Sequence, residues 1–296
     1  MDILKETKEL CDLYHIKPNR SKGQNFLINE EFYNKIIGAA DLNKEDVVLE
    51  IGPGLGFLTV ELAKRVKKVI AVEIDKRLAE ILEARLMAQG IKNVEVVNMD
   101  ILQLNPKSQT PIPNQIPNSK FQVANYQLPI ANFKVVANLP YNITSIFLRK
   151  FLSMEHKPKM MALMLQKEVA ERIVAKPPKM SLLAVSVQFY AEPEIIEIVP
   201  ANNFWPKPEV DSAIIKMTIN GVGAMRASPE WIKDFFRLVK IGFSAKRKML
   251  KNNLAAGYHI SQDEAEEKIK QAGFNPKIRA QELSVEEWTK LFDYFK

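Results

Sequence analysis

Three groups of residues in the first hundred positions have the types and spacing to hold a small polar ligand. A glycine turn spans Gly52 to Gly56, Glu73 ends a later apolar run, and Asp100 follows a third. Glycines let a backbone approach a ligand closely because they carry no Cβ atom, and carboxylates accept hydrogen bonds from hydroxyl groups. Together these positions predict a site for a nucleoside-like ligand.

The sequence Asn138-Leu-Pro-Tyr141 supplies groups that could act on an aromatic amine. The exocyclic amine of adenine is a poor nucleophile because its lone pair is conjugated into the ring. The amide oxygen of Asn138 and a neighbouring backbone carbonyl could accept its N–H bonds and favour the pyramidal, attacking form. Pro140 stiffens the turn, and Tyr141 could stack on the base and hold it in line with a methyl group.

Each of these groups follows a predicted strand, so that one edge of a sheet would carry them all. The apolar runs predict strands at 47–51, 69–74, 94–99, 134–137, 160–165, 183–190 and 212–218. Helical spacing between the earlier runs indicates parallel βαβ units. The predicted fold class is α/β, a doubly wound, mostly parallel, seven-stranded Rossmann-like sheet, which binds ligands at the carboxyl ends of its strands.

The spacing of the glycines separates two nucleotide chemistries. A dinucleotide-dependent dehydrogenase uses G-x-G-x-x-G, whose third glycine permits close packing of helix and strand. Here Phe57 occupies that position and the third glycine comes one residue early, at Gly56. This spacing disfavours the dehydrogenase without excluding it. A methyltransferase needs a loop around a methionine moiety, an acid for ribose and a further group for adenine, which Gly52 to Gly56, Glu73 and Asp100 supply in order.

The chain divides near Gly221-Val-Gly223 into two predicted domains. Residues 1–220 carry the strands and form the predicted methyltransferase domain. Residues 221–296 have helical patterns throughout and form a small predicted helical domain. Ser261 with Glu264 and Ser284 with Glu287 have the spacing of capping boxes at the starts of two of its helices.

The distribution of charge favours an anionic partner. The formal net charge is +7, and six basic residues with no acid lie between Arg237 and Lys251. A solvated helix face usually mixes both signs, so this segment predicts contact with an RNA or DNA backbone. The candidate nucleic-acid contacts are Arg20 and Lys22, from a basic loop near the N-terminus, and Lys246, Arg247, Lys248 and Lys251.

Composition argues against several other classes of protein. A single cysteine, Cys11, rules out an internal disulfide and fits a reducing cytoplasm. The three histidines lie far apart, so no metal site is expected. No apolar run approaches the roughly 20 residues of a membrane span, and the N-terminus lacks the apolar core of a signal peptide. Residues 101–133 are rich in proline and lack acids, which predicts a long loop of unassigned role.

Eight short segments, jointly and in order, resemble the small-subunit (16S) ribosomal RNA adenine dimethyltransferases of the KsgA/RsmA type. They cover nearly the whole chain and are, by number, 23–27, 50–56, 73–75, 98–100, 138–141, 166–172, 204–213 and 247–254. Two departures occur: the loop 101–133 is longer than in the family, and Lys22 stands where a leucine is usual.

The resemblance implies a role for particular residues. The implied contacts to S-adenosylmethionine are Asn25, Leu27, Gly52, Gly54, Glu73, Asp100 and Asn138. The residues implied to hold or face the target adenine are Asn138, Leu139, Pro140 and Tyr141, with Phe204 as a second aromatic wall.

The resemblance also implies a substrate. It is two adjacent adenosines near the 3′ end of small-subunit rRNA, each methylated twice at N6, in a pre-formed 30S particle, by an enzyme that is a monomer. The nearest alternative is the related large-subunit (23S) rRNA methyltransferase of macrolide resistance, which typically has Asn-Ile-Pro-Tyr where this chain has Asn138-Leu-Pro-Tyr141. A non-catalytic nucleic-acid-binding relative is a second alternative, against which Asn138 and Tyr141 argue.

Overall fold

The computed structural model describes residues 2–18, 24–104, 132–220 and 228–296. They form two compact units. The first comprises Met1–Ala170 with Glu194–Ile219, and the second comprises Glu171–Pro193 with Asn220–Lys296. The predicted boundary at Gly221 to Gly223 and residues 105–131 of the predicted loop lie outside the described residues; residues 101–103 form a turn of 3₁₀ helix.

The secondary structure of the described residues alternates between strands and helices over the first two thirds of the chain. The strands are β1 (Phe26–Leu27), β2 (Val47–Ile51), β3 (Lys68–Glu73), β4 (Val94–Asn98), β5 (Lys134–Asn138), β6 (Met160–Gln166), β7 (Glu192–Val199), β8 (Phe204–Trp205) and β9 (Ser212–Thr218). The helices are α1 (Ile3–Leu13), α2 (Glu30–Ala39), α3 (Phe57–Ala63), α4 (Lys76–Ala88), α5 (Thr144–Leu152), α6 (Lys167–Ile173), α7 (Leu182–Gln188), α8 (Pro229–Gly242), α9 (Leu250–Tyr258), α10 (Gln262–Gln271) and α11 (Val285–Phe292).

Seven strands form one sheet in the order β4-β3-β2-β5-β6-β9-β7. Strands β4, β3, β2, β5 and β6 are mutually parallel, and β9 is antiparallel to β6. The predicted α/β, mostly parallel, seven-stranded fold is confirmed. The chain runs outward from β2 to β4 and then returns to β5 on the other side of β2. This reversal opens a crevice at the carboxyl ends of β2 and β5, where such sheets bind ligands.

One predicted strand is wrong. Residues 183–190, which continue an apolar run, lie mostly in helix α7, and the seventh strand of the sheet is β7. Val185, Val187 and Phe189 alternate with Ser186 and Gln188, a pattern that suits a strand, and so short a run does not separate a helix from a strand. The deciding signal is Ser181, whose hydroxyl accepts a hydrogen bond from the backbone N–H of Ala184 and caps the helix.

The second unit is helical and has its own aromatic core. Phe189, beside α7, stacks on Phe235 of α8 at 4.8 Å between ring centroids, and Trp231 stacks on Phe235 at 5.3 Å. This packing explains why residues 171–193 belong with the C-terminal helices, although they precede β9 in the chain. Ser284 and Glu287 form the predicted capping box at the start of α11.

Membrane-spanning helices and clusters of metal-binding side chains would each indicate another class of protein. Within ranges 2–18, 24–104, 132–220 and 228–296, no helix is both long and apolar enough to cross a lipid bilayer. In the same ranges, histidine, cysteine, aspartate and glutamate side chains nowhere gather in threes or more at metal-binding distances.

Candidate active site

A cavity of about 290 Å³ lies at the carboxyl edge of β2, β3, β4 and β5. This volume is near the lower end of the range for small-molecule sites. The sequence-predicted residues that line it are Asn25, Leu27, Gly52, Gly54, Glu73, Asp100, Asn138 and Pro140. The cavity therefore brings together five separate segments of the chain. Four of them follow strands of the sheet, as predicted, and the segment with Asn25 and Leu27 was implied by the resemblance.

Gly54 and Gly56 have different structural roles in the turn. Gly54 has a φ of +57°, and its backbone N–H donates to Glu73 Oε2 at 3.1 Å, which ties the turn to the end of β3. Gly56 has a φ of +82°, and a Cβ there would lie 2.3 Å from Leu82 Cδ1 on α4. Gly56, the third glycine, therefore permits close packing of the turn against α4, one residue earlier than the third glycine of a dinucleotide site. Phe57, the next residue, lines the cavity instead.

Glu73 is held rigidly at the cavity wall. Its Oε2 accepts from Gly54 and its Oε1 accepts from the backbone N–H of Asp75 at 2.9 Å. Burial raises the pKa of the carboxyl, and these backbone N–H groups act in the opposite direction. Each carboxylate oxygen has a second lone pair, so that the bound acid can still accept hydrogen bonds from the hydroxyls of a ligand.

The part of the cavity next to Glu73 is formed after β4, the neighbour of β3 in the sheet. Asp100 Oδ1 accepts from the backbone N–H of Leu102 at 2.8 Å, which starts the 3₁₀ turn and fixes the carboxyl. Ile74 and Ile101 also line the cavity, and Ile74 is 66 % exposed. Apolar side chains beside an anchored acid suit a flat heterocycle with polar edges. Sequence reasoning did not identify these isoleucines, although both adjoin predicted acids.

Asn138 is the last residue of β5 and lines the cavity. The strand continues into a turn whose backbone is fixed by two bonds: Leu139 N–H donates to Met164 O at 3.0 Å, and Ile143 N–H donates to Pro140 O at 3.2 Å. Leu139 is buried, and neither Leu139 nor Tyr141 is among the residues that line the cavity. Asn138 and Pro140 therefore line the cavity, while the residues that alternate with them do not.

Tyr141 is half-buried and shares a hydrogen bond of 2.7 Å with the hydroxyl of Ser212, the first residue of β9. Burial raises the pKa of the Tyr141 hydroxyl, which therefore stays protonated at neutral pH. Ser212 lies inside a matching segment, but sequence reasoning gave it no role. Its contact with Tyr141 spans 71 positions of the chain and has no local signal.

Phe204, predicted as a second aromatic wall for the target adenine, does not line this cavity, and its role stays a prediction. Phe204 is 3 % exposed, belongs to the core cluster of the first unit and is not among the cavity-lining residues. The cause is pairing between β1 and β8, in which Leu27 opposes Phe204 and Phe26 opposes Trp205. In this structure Phe204 therefore anchors the segment that carries Asn25 and Leu27 against the cavity.

Glu50 lines the cavity, although sequence reasoning gave it no role. It lies in β2 and is 1 % exposed, and among the described residues its Oε2 has no hydrogen-bond partner. Burial raises the pKa of its carboxyl to about 8, and the charge of Glu73 adds to this effect. A buried, unsatisfied oxygen at a cavity wall is costly without a ligand. The available signal was a lone acid inside an apolar strand.

The predicted nucleic-acid contacts belong to the second unit or lie outside the described residues. Lys246, Arg247 and Lys248 are exposed and precede α9. Lys251, in α9, differs from them because Glu266 Oε2 lies 2.5 Å from its Nζ. The lysines at 251 and 270 hold the pKa of Glu266 at about 2. Arg20 and Lys22 lie outside the described residues.

Comparison with known proteins gives a consistent set of relatives. The sequence model of a family described as "Ribosomal RNA adenine dimethylase" matches residues 16–296. Proteins named ribosomal RNA small subunit methyltransferase A are similar to this chain. The one from Dehalococcoides mccartyi is 42% identical over 98% of this chain and 92% of its own length, and that from Clostridium botulinum is 38% identical over 97% of each.

Two solved structures have the same fold. A dimethyladenosine transferase from Plasmodium falciparum has a TM-score of 0.69 and 27% identity, over 90% of this chain and 95% of its own. The 23S rRNA methyltransferase ErmE has a TM-score of 0.67 and 27% identity, over 91% of this chain and 99% of its own. Fold alone therefore does not separate an enzyme of the small subunit from one of the large subunit.

Proposed function

The chain belongs to the ribosomal RNA adenine dimethylase family, and we propose that it dimethylates adenosines of small-subunit (16S) rRNA at N6. The proposed targets are two adjacent adenosines near the 3′ end, in a pre-formed 30S particle, with S-adenosylmethionine as the methyl donor. The observation that carries the proposal is the convergence of the glycine turn, Glu73, Asp100 and Asn138 on one cavity. The names of the relatives support the choice of subunit.

The residues of the cavity fit S-adenosylmethionine. Its ribose hydroxyls can donate to Glu73, whose two oxygens keep free lone pairs, and its adenine can lie between Ile74 and Ile101 with Asp100 at its polar edge. Glu50 Oε2 has no hydrogen-bond partner among the described residues, and its carboxyl holds a proton at neutral pH, so a polar group of the ligand could pair with it. Asn25 and Leu27 cover the site from β1 and the residue before it.

The bound cofactor supplies an electrophilic methyl group on a sulfonium, and the chain supplies the alignment of the amine. The Asn138 amide oxygen accepts an N–H bond of the target amine, with a backbone carbonyl of the turn as second acceptor. Tyr141 stacks on the base. As the new N–C bond forms and the S–C bond breaks in line, the amine gains positive charge, which these acceptors stabilise. The surplus proton then leaves the amine to solvent.

We assign the RNA backbone contact to the exposed Lys246, Arg247 and Lys248 of the second unit, so that residues 221–296 serve mainly in RNA binding. Three basic side chains in a row with no acid among them suit a polyanion. Lys251 contributes less to this proposal than sequence reasoning expected, because Glu266 neutralises it. We propose that the protein acts as a monomer in the cytoplasm.

The test is methyl transfer from tritiated S-adenosylmethionine to particles that lack dimethyladenosine. We expect label in small-subunit particles and almost none in large-subunit particles. Transfer to large-subunit RNA alone would assign the chain to the macrolide-resistance type, whose member ErmE has a similar fold. Cofactor binding without transfer to either particle would instead indicate a non-catalytic relative.

A further inference from the structure

Ser212 is a completely buried polar residue that contacts the proposed base-binding segment. It is 0 % exposed, and its Oγ lies 2.7 Å from the Tyr141 hydroxyl. We infer that Ser212 is a positioning residue, which fixes the ring of Tyr141 in the place where it stacks on the target adenine. This inference rests on the proposed function, because it requires Tyr141 to contact the base.

The backbone around Ser212 is held on both sides, which makes its hydroxyl a fixed reference point. Ser212 opposes Gln166 in the β6–β9 ladder. The preceding residue, Asp211, accepts the N–H of Lys167 with its backbone carbonyl at 3.0 Å and the N–H of Ala201 with Oδ1, also at 3.0 Å. These bonds leave Ser212 little freedom except rotation of its own side chain.

The backbone of the Asn138-Leu-Pro-Tyr141 turn is also fixed, so the remaining freedom of Tyr141 lies in its side chain. The bonds from Leu139 to Met164 and from Ile143 to Pro140 hold the turn before and after that residue. Because the phenolic oxygen lies on the ring axis, its bond to Ser212 restrains χ1, which sets the location of the ring, and not the ring flip. A tyrosine hydroxyl usually finds such a partner when it is buried.

The location of the ring matters more for the second methylation than for the first. After the first transfer the nitrogen carries a methyl group, and its remaining lone pair must be aimed again at a new methyl donor in a more crowded site. Small errors of alignment are costly in a direct displacement. A base held by a loose ring should therefore accumulate as the N6-monomethyl product.

The experiment compares the wild type with Tyr141→Phe, Ser212→Ala and the double variant. Tyr141→Phe keeps the stacking ring and removes only the hydroxyl. Ser186→Ala is the matched control, because it removes a serine hydroxyl that is bonded to Leu182 O at 2.6 Å within α7. The measurements are kcat and KM for small-subunit particles, cofactor affinity by calorimetry, and the ratio of monomethyl to dimethyl adenosine at equal total methylation.

We expect both single variants and the double variant to lose about tenfold in kcat, with KM and cofactor affinity within about twofold. The monomethyl share should rise in all three, and Ser186→Ala should behave as the wild type. Loss of folded protein lowers both methylation steps equally, so that it leaves this ratio unchanged at equal total methylation. If Ser212→Ala does not fold, the kcat and the product ratio of Tyr141→Phe alone test the inference.

An unchanged kcat and product ratio in Tyr141→Phe would overturn the inference, as would losses that multiply in the double variant. These results differ from failure of the proposed function itself, in which the wild type transfers no methyl group to small-subunit particles.

Discussion

Charged residues have different environments in the cavity of the first unit and in and around the basic segment of the second unit. At the cavity, Glu50 and Glu73 are buried, and burial raises the pKa of each carboxyl. In the second unit, Glu266 pairs with Lys251 and Lys270, and these lysines lower the pKa of its carboxyl. Lys246, Arg247 and Lys248, which precede this network, are exposed.

This difference matches the role that we propose for each region. A methyl transfer requires groups placed to within a fraction of an ångström, and the cavity achieves this with backbone hydrogen bonds to Glu73 and Asp100. A phosphate backbone is recognised by its charge, so that exposed, mobile cations suffice and affinity depends on salt. Substitutions at the cavity should therefore lower methyl transfer, whereas substitutions in the basic segment should lower RNA affinity and its dependence on salt.

The largest effect is expected at the centre of the cavity. Asn138→Ala removes the side-chain acceptor for the target amine, and activity should fall by about 100-fold or more. Cofactor affinity should change by no more than about 1–2 kcal/mol, the scale of a hydrogen bond. Steady-state methyl transfer and calorimetry check the two parts. Full activity in this variant would remove Asn138 from the chemistry.

The next largest effect concerns the packing of the glycine turn. Gly56→Ala places a Cβ 2.3 Å from Leu82 Cδ1 at a φ of +82°, and the free energy of unfolding should fall by about 2–4 kcal/mol. Gly90→Ala is the matched control, because Gly90 has a φ of +67° with nothing within 4 Å of the added Cβ. It should cost about 1–2 kcal/mol. Equal losses in chemical denaturation would show that backbone strain alone, and not packing against α4, requires glycine at 56.

A smaller effect is expected from the basic segment, and it should appear in salt dependence. Lys246→Glu with Lys248→Glu should weaken RNA binding and reduce the slope of log affinity against log salt by about 1–2. Cofactor affinity should not change. The control is Lys8→Glu with Lys92→Glu, which makes the same change in net charge at two exposed positions of the first unit. If both pairs change the slope equally, net charge rather than this segment governs binding.

A separate effect, outside this ranking, is a pH dependence of stability that arises at Glu50. Its pKa is raised from 4.5 to about 8, so the folded state keeps a proton that the unfolded state releases between these values. The free energy of unfolding should therefore fall as the pH rises from about 5 to 8. Glu50→Gln removes this term, and its advantage over the wild type should grow with pH. If the free energies of unfolding of the two proteins change equally with pH, the raised pKa of Glu50 is contradicted.

The sequence sufficed for the framework of the fold and for the cavity. The apolar runs that form β2, β3 and β5 are bounded by glycine, acid or asparagine, and parallel strands must bring those ends to one edge. One segment was misjudged because its structure depends on long-range packing. The run 183–190 was predicted as a strand, and its alternation of Val185, Val187 and Phe189 with Ser186 and Gln188 suits one, but it lies mostly in helix α7. The role of Phe204 as an aromatic wall stays a prediction, and its pairing with Leu27 has no local signal.

The interpretation of charges depends on long-range packing in the same way. The prediction for Lys251 considered only its basic neighbours, whereas its partner Glu266 lies 15 positions away on the next helix. Glu50 was passed over because the predicted contacts were taken from the resemblance, and burial of a carboxyl is a property of the whole sheet. Ser212 depends on a contact between β9 and the turn after β5, which becomes visible only when the sheet order is known.

The central claim is that the cavity and the Asn138-Leu-Pro-Tyr141 turn dimethylate small-subunit rRNA. The most direct measurement is mass spectrometry of rRNA fragments from small-subunit particles that lack dimethyladenosine, after incubation with S-adenosylmethionine and either the wild type or Asn138→Ala. Fragments from the 3′ end should carry two adjacent N6,N6-dimethyladenosines with the wild type and unmodified adenosine with the variant. Unmodified fragments after incubation with the wild type, or equal dimethylation by both proteins, would contradict the account.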